Sequence, residues 1–550
     1  MKTSQFTPKR AEPDYRHVYA TFDTSVHNFK STENQSSTAA DALSLLEVLS
    51  MFHFTGLPMD IFREAWEGSR NVILRASSLA SESSVQLSKV EYLEKAHVDR
   101  VSSVFTIPPT DWEFACLRLK KALKLLEQHA LIIMRRTTGD DDAKLISMHP
   151  LVHSWAKDRL EDKSCQQNAC LVASTLIALS TESSPEREPF YSKTWLDYEG
   201  HLRLHIESIV ENERTNDFSQ FPSSLTSKNS YRCTRILAAM GKHELLKTYL
   251  AHIFTRLKLD LDNPSCPEVL RFYKERACNL ANLRELKPSL ELWEKIKSTE
   301  STLPEHDTER ILSLQGVARA YLANEECTKA IPILQDVQRI LKSRLPDLER
   351  DWVKSSVELA RAHVKAGDGA SAIGCLEHIG CVNLDELDDG DPTILYSKHM
   401  LARAYLQTSE TGKAIALFEE VLQLQKQTNP PYFPGILATQ SWLAHTYSKA
   451  GRFENAATVL SEMVQTMKGQ APDYNKQILV AENQLNVALN SIPYGRRTSM
   501  CLVSSIKASV NIASRILFRK PLSPVEHHKT HSIALRSNNR SWTFVSLNES

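Results

Sequence analysis

Between residues 311 and 463 the apolar and polar positions repeat as a block. Val317-Ala-Arg-Ala-Tyr321 is followed by Lys329-Ala330, and Leu359-Ala-Arg-Ala-His363 by Ser371-Ala372. Leu401-Ala-Arg-Ala-Tyr405 is followed by Lys413-Ala414, and Leu443-Ala-His-Thr-Tyr447 by Asn455-Ala456. The second alanines, at 330, 372, 414 and 456, stand 42 residues apart. A fixed period of that length marks a stacked repeat array.

Each block predicts two antiparallel helices. Ala318, Ala360, Ala402 and Ala444 stand three residues before an aromatic or a histidine, which lets two helices approach closely. Turns are expected at Ala366-Gly367, Thr411-Gly412 and Ala450-Gly451. Beyond them the second small residue precedes Leu334, Leu376, Phe418 or Leu460 by four, on one helix face. Two degenerate blocks come first: Leu237–Gly241 with Leu246–Leu250, then Ala277–Leu280 with Ser289, Trp293 and Ile296. The array therefore covers 226–468 with about six units, and 469–490 reads as a solubilising cap helix.

Upstream the period is less regular. Residues 1–40 are polar and flexible by composition, with a loop over Ser31–Ser37. Residues 41–160 predict a helix from Ala42 and a second opened by Leu57-Pro-Met-Asp-Ile61. An exposed insertion is expected over 76–100, then a helix from Trp112 to Gln128 with Phe114, Leu117, Leu119, Leu123 and Leu126 as apolar positions. Ala130–Met134 and Leu145–Met148 change the period and read as a β-hairpin around Gly139-Asp140, followed by a helix from Pro150. Residues 161–225 read as an irregular helical linker, and 491–550 as a disordered basic tail.

The repeats resemble tetratricopeptide repeats of the long type found in kinesin light chains and in NB-ARC–TPR proteins. The usual unit is about 34 residues, and eight more lengthen each helix by roughly one turn. The resemblance implies an all-α-dominated fold, an α-solenoid of tetratricopeptide repeats preceded by a small winged-helix (α+β) domain. Ile146-Ser-Met-His-Pro-Leu-Val-His-Ser-Trp-Ala156 resembles the end of the winged-helix module in STAND-class switch ATPases, fungal NB-ARC–TPR proteins above all. Leu45–Phe52 followed by Gly56–Phe62 resembles the opening of that module. In that family a Met-His-Asp-like tripeptide sets a histidine against the β-phosphate of ADP. Met148-His149-Pro150 matches it with Pro for Asp, which implies a nucleotide-sensing role for His149.

Chemistry narrows this picture. No G-x-x-x-x-G-K-[ST] loop occurs in the chain, so no cofactor is expected, and ADP only if a P-loop core exists elsewhere. No nucleophile–base constellation is visible, and the chain reads as a non-enzyme. Lys+Arg and Asp+Glu both number 66, so no net field draws nucleic acid or membrane. The ten cysteines form no C-x-x-C pair, and neither a secretory signal nor a membrane span is evident, which suits a soluble cytoplasmic protein. His149 and His153 lack the glutamate of H-E-x-x-H, and Asp385–Gly390 lacks the ligand spacing of a calcium loop, so no metal site is expected. His527, His528 and His531, the kinase-like Arg496–Ser499 and the one-sided Ile506, Val510, Ala513 and Leu517 all read as features of an ordinary tail.

The residue after each first small one forms the candidate site: Arg319, Arg361, Arg403 and His445, a partner-binding row facing a concave groove. Guanidiniums in a row favour carboxylates or phosphates. The bland alternative pairs each within its own array, as Arg361 with Glu358. The leading expectation is a scaffold that captures a protein or peptide, acidic in character, as the regulatory part of a STAND-type signalling protein. The alternative is a fragment of an ADP/ATP-dependent NB-ARC switch. Minor alternatives are a kinesin-light-chain-like cargo adaptor and a DNA-binding winged helix through Lys120, Lys121, Lys124, Arg135 and Arg136.

Overall fold

The computed structural model describes residues 16–30, 36–79, 92–105, 112–136, 144–160, 162–182, 193–216, 218, 220–264, 269–343, 349–377, 391–428, 434–469 and 475–492. The chain forms two compact units, 1–320 and 321–550, divided inside one helix.

The first unit opens with α1 (Arg16–Lys30), α2 (Ser36–Leu49), β1 (Leu57–Pro58), α3 (Asp60–Leu79), α4 (Lys95–Phe105) and α5 (Trp112–Gln128). The hairpin β2 (Ile133–Arg136) and β3 (Lys144–Ser147) follows, then α6 (Pro150–Asp158), α7 (Lys163–Ser180) and α8 (Lys193–Thr215). The sheet is antiparallel in the order β1-β3-β2, with Ile146 opposite both Leu57 and Met134. Leu57-Pro58 is thus a strand, not the start of a helix. Proline lacks an N–H and is tolerated there because β1 is an edge.

Two further expectations change. The exposed insertion expected over 76–100 does not hold for the last part of that stretch, where α4 buries His97 and Val98; residues 80–91 lie outside the described residues. The charges near α4 misled because Glu94 pairs with the buried Lys228. Nor is 161–225 merely a linker. Every residue of α7 from Ala169 to Ser180 is buried, against α2, α3, α4, α8 and α9. Ser174, Thr175 and Ser180 donate their hydroxyls to carbonyls of their own helix, which makes a polar-looking sequence fit for a core. A Cβ on Gly68 of α3 would stand 1.9 Å from Leu179 O, so α3 and α7 need glycine at their contact. Leu117 on α5 is half exposed, whereas Leu119, Leu123 and Leu126 are buried.

The degenerate blocks do form hairpins: α9 (Ser223–Ala239) with α10 (His243–Arg256), and α11 (Leu270–Asn282) with α12 (Leu286–Thr299). The dividing helix is α13 (Thr308–Ala323), whose Gly316 admits the Trp293 ring of α12.

The second unit continues with α14 (Cys327–Lys342), α15 (Glu349–Ala366), α16 (Gly369–Glu377), α17 (Pro392–Gln407), α18 (Thr411–Thr428), α19 (Pro434–Lys449), α20 (Phe453–Gly469) and α21 (Asn475–Ser491). Pairs α15–α16, α17–α18 and α19–α20 are the predicted hairpins. Ala360, Ala402, Ala372 and Ala414 are fully buried at the helix contacts, with Leu376, Phe418 and Leu460 beside them. The fold is an all-α-dominated array of tetratricopeptide-type hairpins with one small sheet.

Positive φ marks each hairpin turn: Gly241, Arg284, Glu325, Gly367, Ser409 and Gly451. The next residue's N–H closes back on the helix end, as Asp368 on His363 O (2.9 Å) and Glu410 on Tyr405 O (2.8 Å). The second predicted turn is therefore misplaced. Gly412 lies inside α18, and Ser409 takes the left-handed position. Among the described residues no helix is long and apolar enough to cross a membrane, and no cluster of side chains suits a metal.

Candidate interaction surface

Equal register in successive hairpins puts equivalent residues on the same face of α15, α17 and α19. Arg361 Nη1 lies 3.4 Å from Glu358 Oε2 one turn away, both side chains 14% exposed. Arg403 lays its guanidinium 4.4 Å from the centre of the Trp442 ring on the next first helix, and its Nη1 is 3.8 Å from Met400 Sδ. His445 meets the same indole edge-on at 5.8 Å. Desolvation lowers the His445 pKa, and Lys449 lowers it further. Arg361, Arg403 and His445 therefore belong to one continuous surface of the second unit.

Lys365 and Trp442 belong to it too, although sequence reasoning passed over both. Lys365 Nζ donates to Leu322 O at 2.9 Å, and Gln407 Nε2, 42 residues on, donates to Val364 O at 2.7 Å. The hairpins that begin with α15 and α17 thus each clasp a main-chain carbonyl of the helix before them. Desolvation lowers the Lys365 pKa first, then the positive charges of Arg361 and Arg403. The spacing that reveals Lys365 is its place four residues after Arg361; Trp442 lies three before His445.

Arg319 stands in the other unit. It is half-buried, with no hydrogen bond or ion pair among the described residues. Burial pushes the Cys278 thiol up to about 11, and Arg319 is the strongest influence in the opposite direction.

His149 and His153 turn to different tasks. His149 is exposed and caps α6: its Nδ1 accepts the Leu151 N–H at 3.2 Å, with Pro150 in the first turn. His153 Nε2 lies 2.8 Å from Phe52 O, and burial, then Lys157, push its pKa down to about 4. Lys120, Lys121, Lys124, Arg135 and Arg136 are exposed on α5 and β2. Gly139-Asp140, Asp385–Gly390, Arg496–Ser499, the Ile506–Leu517 stripe and the histidines at 527, 528 and 531 lie outside the described residues.

No protein-family model matches the chain, and no curated protein matches it significantly. Among solved structures, the nearly identical TPR-like repeats assigned to a kinesin light chain of Podosopora anserina match at 29% identity. They cover 37% of this chain and 97% of theirs, with a TM-score of 0.33. NprR in complex with its cognate peptide NprX matches at 16% identity over 59% of this chain and 96% of its own, with a TM-score of 0.38. A STAND protein with a tetratricopeptide repeat sensor from Pyrococcus horikoshii matches at 12% identity over 77% of this chain and 64% of its own, with a TM-score of 0.41. With TM-scores this low, the repeat assignment rests on the chain's own hairpins.

Proposed function

We propose that the second unit is a protein-interaction module, cytoplasmic and not enzymatic, whose cationic row captures an acidic peptide or helical segment of a partner. One observation carries this: Arg361, Lys365 and Arg403 gather within mutual influence, with Arg403 laid on Trp442. Three like charges held close repel one another, and an incoming carboxylate relieves that repulsion while gaining charge-assisted hydrogen bonds. The indole fixes the plane of the guanidinium, which lowers the entropy lost on bidentate pairing.

The test follows Trp442 emission in the full chain, titrated with a glutamate-rich peptide and compared with Trp442→Phe. Binding that weakens at least about tenfold in Arg361→Glu/Arg403→Glu, and with added salt, supports the reading. Equal affinity in that variant, at an unchanged melting temperature, overturns it.

The hairpin that follows helices α2 to α5, with β1 added to β3, favours a second, narrower reading. In it 41–160 is a winged-helix module and the chain is the regulatory part of a STAND-type switch, where His149 meets ADP. His149 now spends Nδ1 on capping α6, so a nucleotide would compete with that cap. Thermal stabilisation by ADP that vanishes in His149→Ala supports this reading, and no stabilisation by ADP sinks it.

A further inference from the structure

The cationic row has a second row beside it. Three residues before Arg361, Arg403 and His445 stand Glu358, Met400 and Trp442, again 42 apart and one helical turn away. Each meets its neighbour. Glu358 Oε2 lies 3.4 Å from Arg361 Nη1, Met400 Sδ lies 3.8 Å from Arg403 Nη1, and the Trp442 ring stands edge-on to His445 at 5.8 Å. One place in the fold thus carries a carboxylate, a thioether and an indole in turn.

The array does not need a carboxylate there. α17 and α19 form the same hairpins with Met400 and Trp442 in that position, so an ion pair is not what holds a first helix in place. Glu358 has instead the chemistry that the row would receive from outside, a carboxylate set against a guanidinium. The pair is shielded: both side chains are 14% exposed, whereas Lys329 and Lys413, paired with Glu326 and Glu410, are 60% and 62% exposed. Water and salt therefore screen the Glu358 charge less than those at the surface. Yet the contact is long beside the roughly 2.7–2.9 Å of a tight charge-assisted hydrogen bond, so a partner's carboxylate has room to do better. Arg403 differs, because its neighbour one turn back is uncharged and its guanidinium rests on the Trp442 ring at 4.4 Å.

We propose that Glu358 is an internal competitor for the row. It holds the carboxylate place at Arg361, so an acidic segment is captured first at Arg403 on Trp442 and reaches Arg361 by displacing Glu358. This rests on the reading of the row as an acid-binding surface and adds its regulation. A partner with one carboxylate stops at Arg403, and one with two opens Arg361 as well.

Titrations of a glutamate-rich peptide into the full-length chain test this, in the wild type, Glu358→Gln, Arg361→Gln and the double variant, with melting temperatures alongside. Glu358→Gln is expected to tighten binding at least about threefold. Glu358→Met, which brings in the side chain that the next repeat already accommodates, should do the same and serves where the glutamine variant folds poorly. Arg361→Gln should weaken binding less than about twofold by itself, but at least about fivefold in the Glu358→Gln background. Equal losses in the two backgrounds overturn the proposal, since a charge acting through its field alone adds the same factor to both. Unchanged or weaker binding in both position-358 variants also overturns it. In either case, weakening by Arg361→Glu/Arg403→Glu leaves the acid-binding reading standing; if that variant binds as the wild type does, the reading falls and the proposal with it.

Discussion

The two units bury different kinds of groups. In the second, alanines meet Leu376, Phe418 and Leu460, and most ion pairs, such as Lys413 with Glu410 one turn away, sit at the surface. In the first, carboxylates are buried and act as hubs. Glu182 accepts Arg75 and Arg232, and Glu213 accepts Tyr249 and Ser230. Lys274 reaches Glu300 at 2.9 Å and Glu309 at 2.7 Å, with all three side chains largely out of water. Burial raises the Glu300 pKa more than Lys274 lowers it, a sign that the carboxylate is not fully compensated. Apolar contacts forgive small errors of placement, whereas a buried ion pair needs both partners. The second unit is thus held by a pattern, the first by particular pairs.

The sharpest way to break that contrast is to remove one member of a pair. Lys274→Ala leaves the buried Glu300 without its ion-pair partner, while Glu309 keeps Arg271, and is expected to cost about 3–5 kcal/mol, read by calorimetry as an earlier transition. Phe418→Ala in the second unit costs a similar ~3–5 kcal/mol through its cavity. The difference appears on repair. An apolar residue of matching volume at 418 restores stability, but none at 274 does so while Glu300 remains.

Acid acts next. Burial pushes His97 and His153 of the first unit down to about 4, and His399 of the second down to about 3. Each is held below its unfolded value near 6.5, so the unfolded chain binds the extra proton. Stability is therefore complete above pH ~6.5 and falls as pH drops toward the folded values. The slope is about 1.4 kcal/mol per pH unit for each histidine. His53, His243 and His252 of the first unit and His445 of the second are lowered by burial as well, so exchange at pH 5 against pH 7 should show the first unit losing more than the second. Equal losses would mean that these histidines do not set the difference.

The smallest effect concerns the turns. Ser409 pays the strain of a left-handed backbone that Gly367 avoids. Ser409→Gly should raise stability by a few tenths to about 1 kcal/mol, and Gly367→Ala should lower it by roughly 1 kcal/mol. Urea midpoints report both. Opposite signs would place the strain elsewhere in the hairpin.

Much of this was legible beforehand, and for physical reasons. The small–aromatic–small–large order recurs because helices pack closely only where alanine allows it, so hairpins α15 to α20 could be placed from residue types alone. The hairpin β2–β3 and the start of α6 at Pro150 were equally plain. The turn at Ser409 was not, because the nearby Gly412 looked like the better left-handed residue. The core helix α7 was not either, since its serines and threonines satisfy themselves along their own helix. In the candidate surface, Arg361, Arg403 and His445 followed from their spacing, while Lys365 and Trp442 did not.

Sequence by itself determined the repeat: its period, its hairpins, and which positions face a neighbouring helix. These depend on local spacing, and a period of 3.6 within a period of 42 states them fully. Local pairs such as Arg361 with Glu358 followed from spacing, but tertiary structure alone decided the distant partners of the charges. Arg232 finds Glu182 across 50 residues and Lys228 finds Glu94 across 134, while Arg403 chooses the face of Trp442. A side chain's charge says that it needs a partner; only the packing of distant helices says which one it meets.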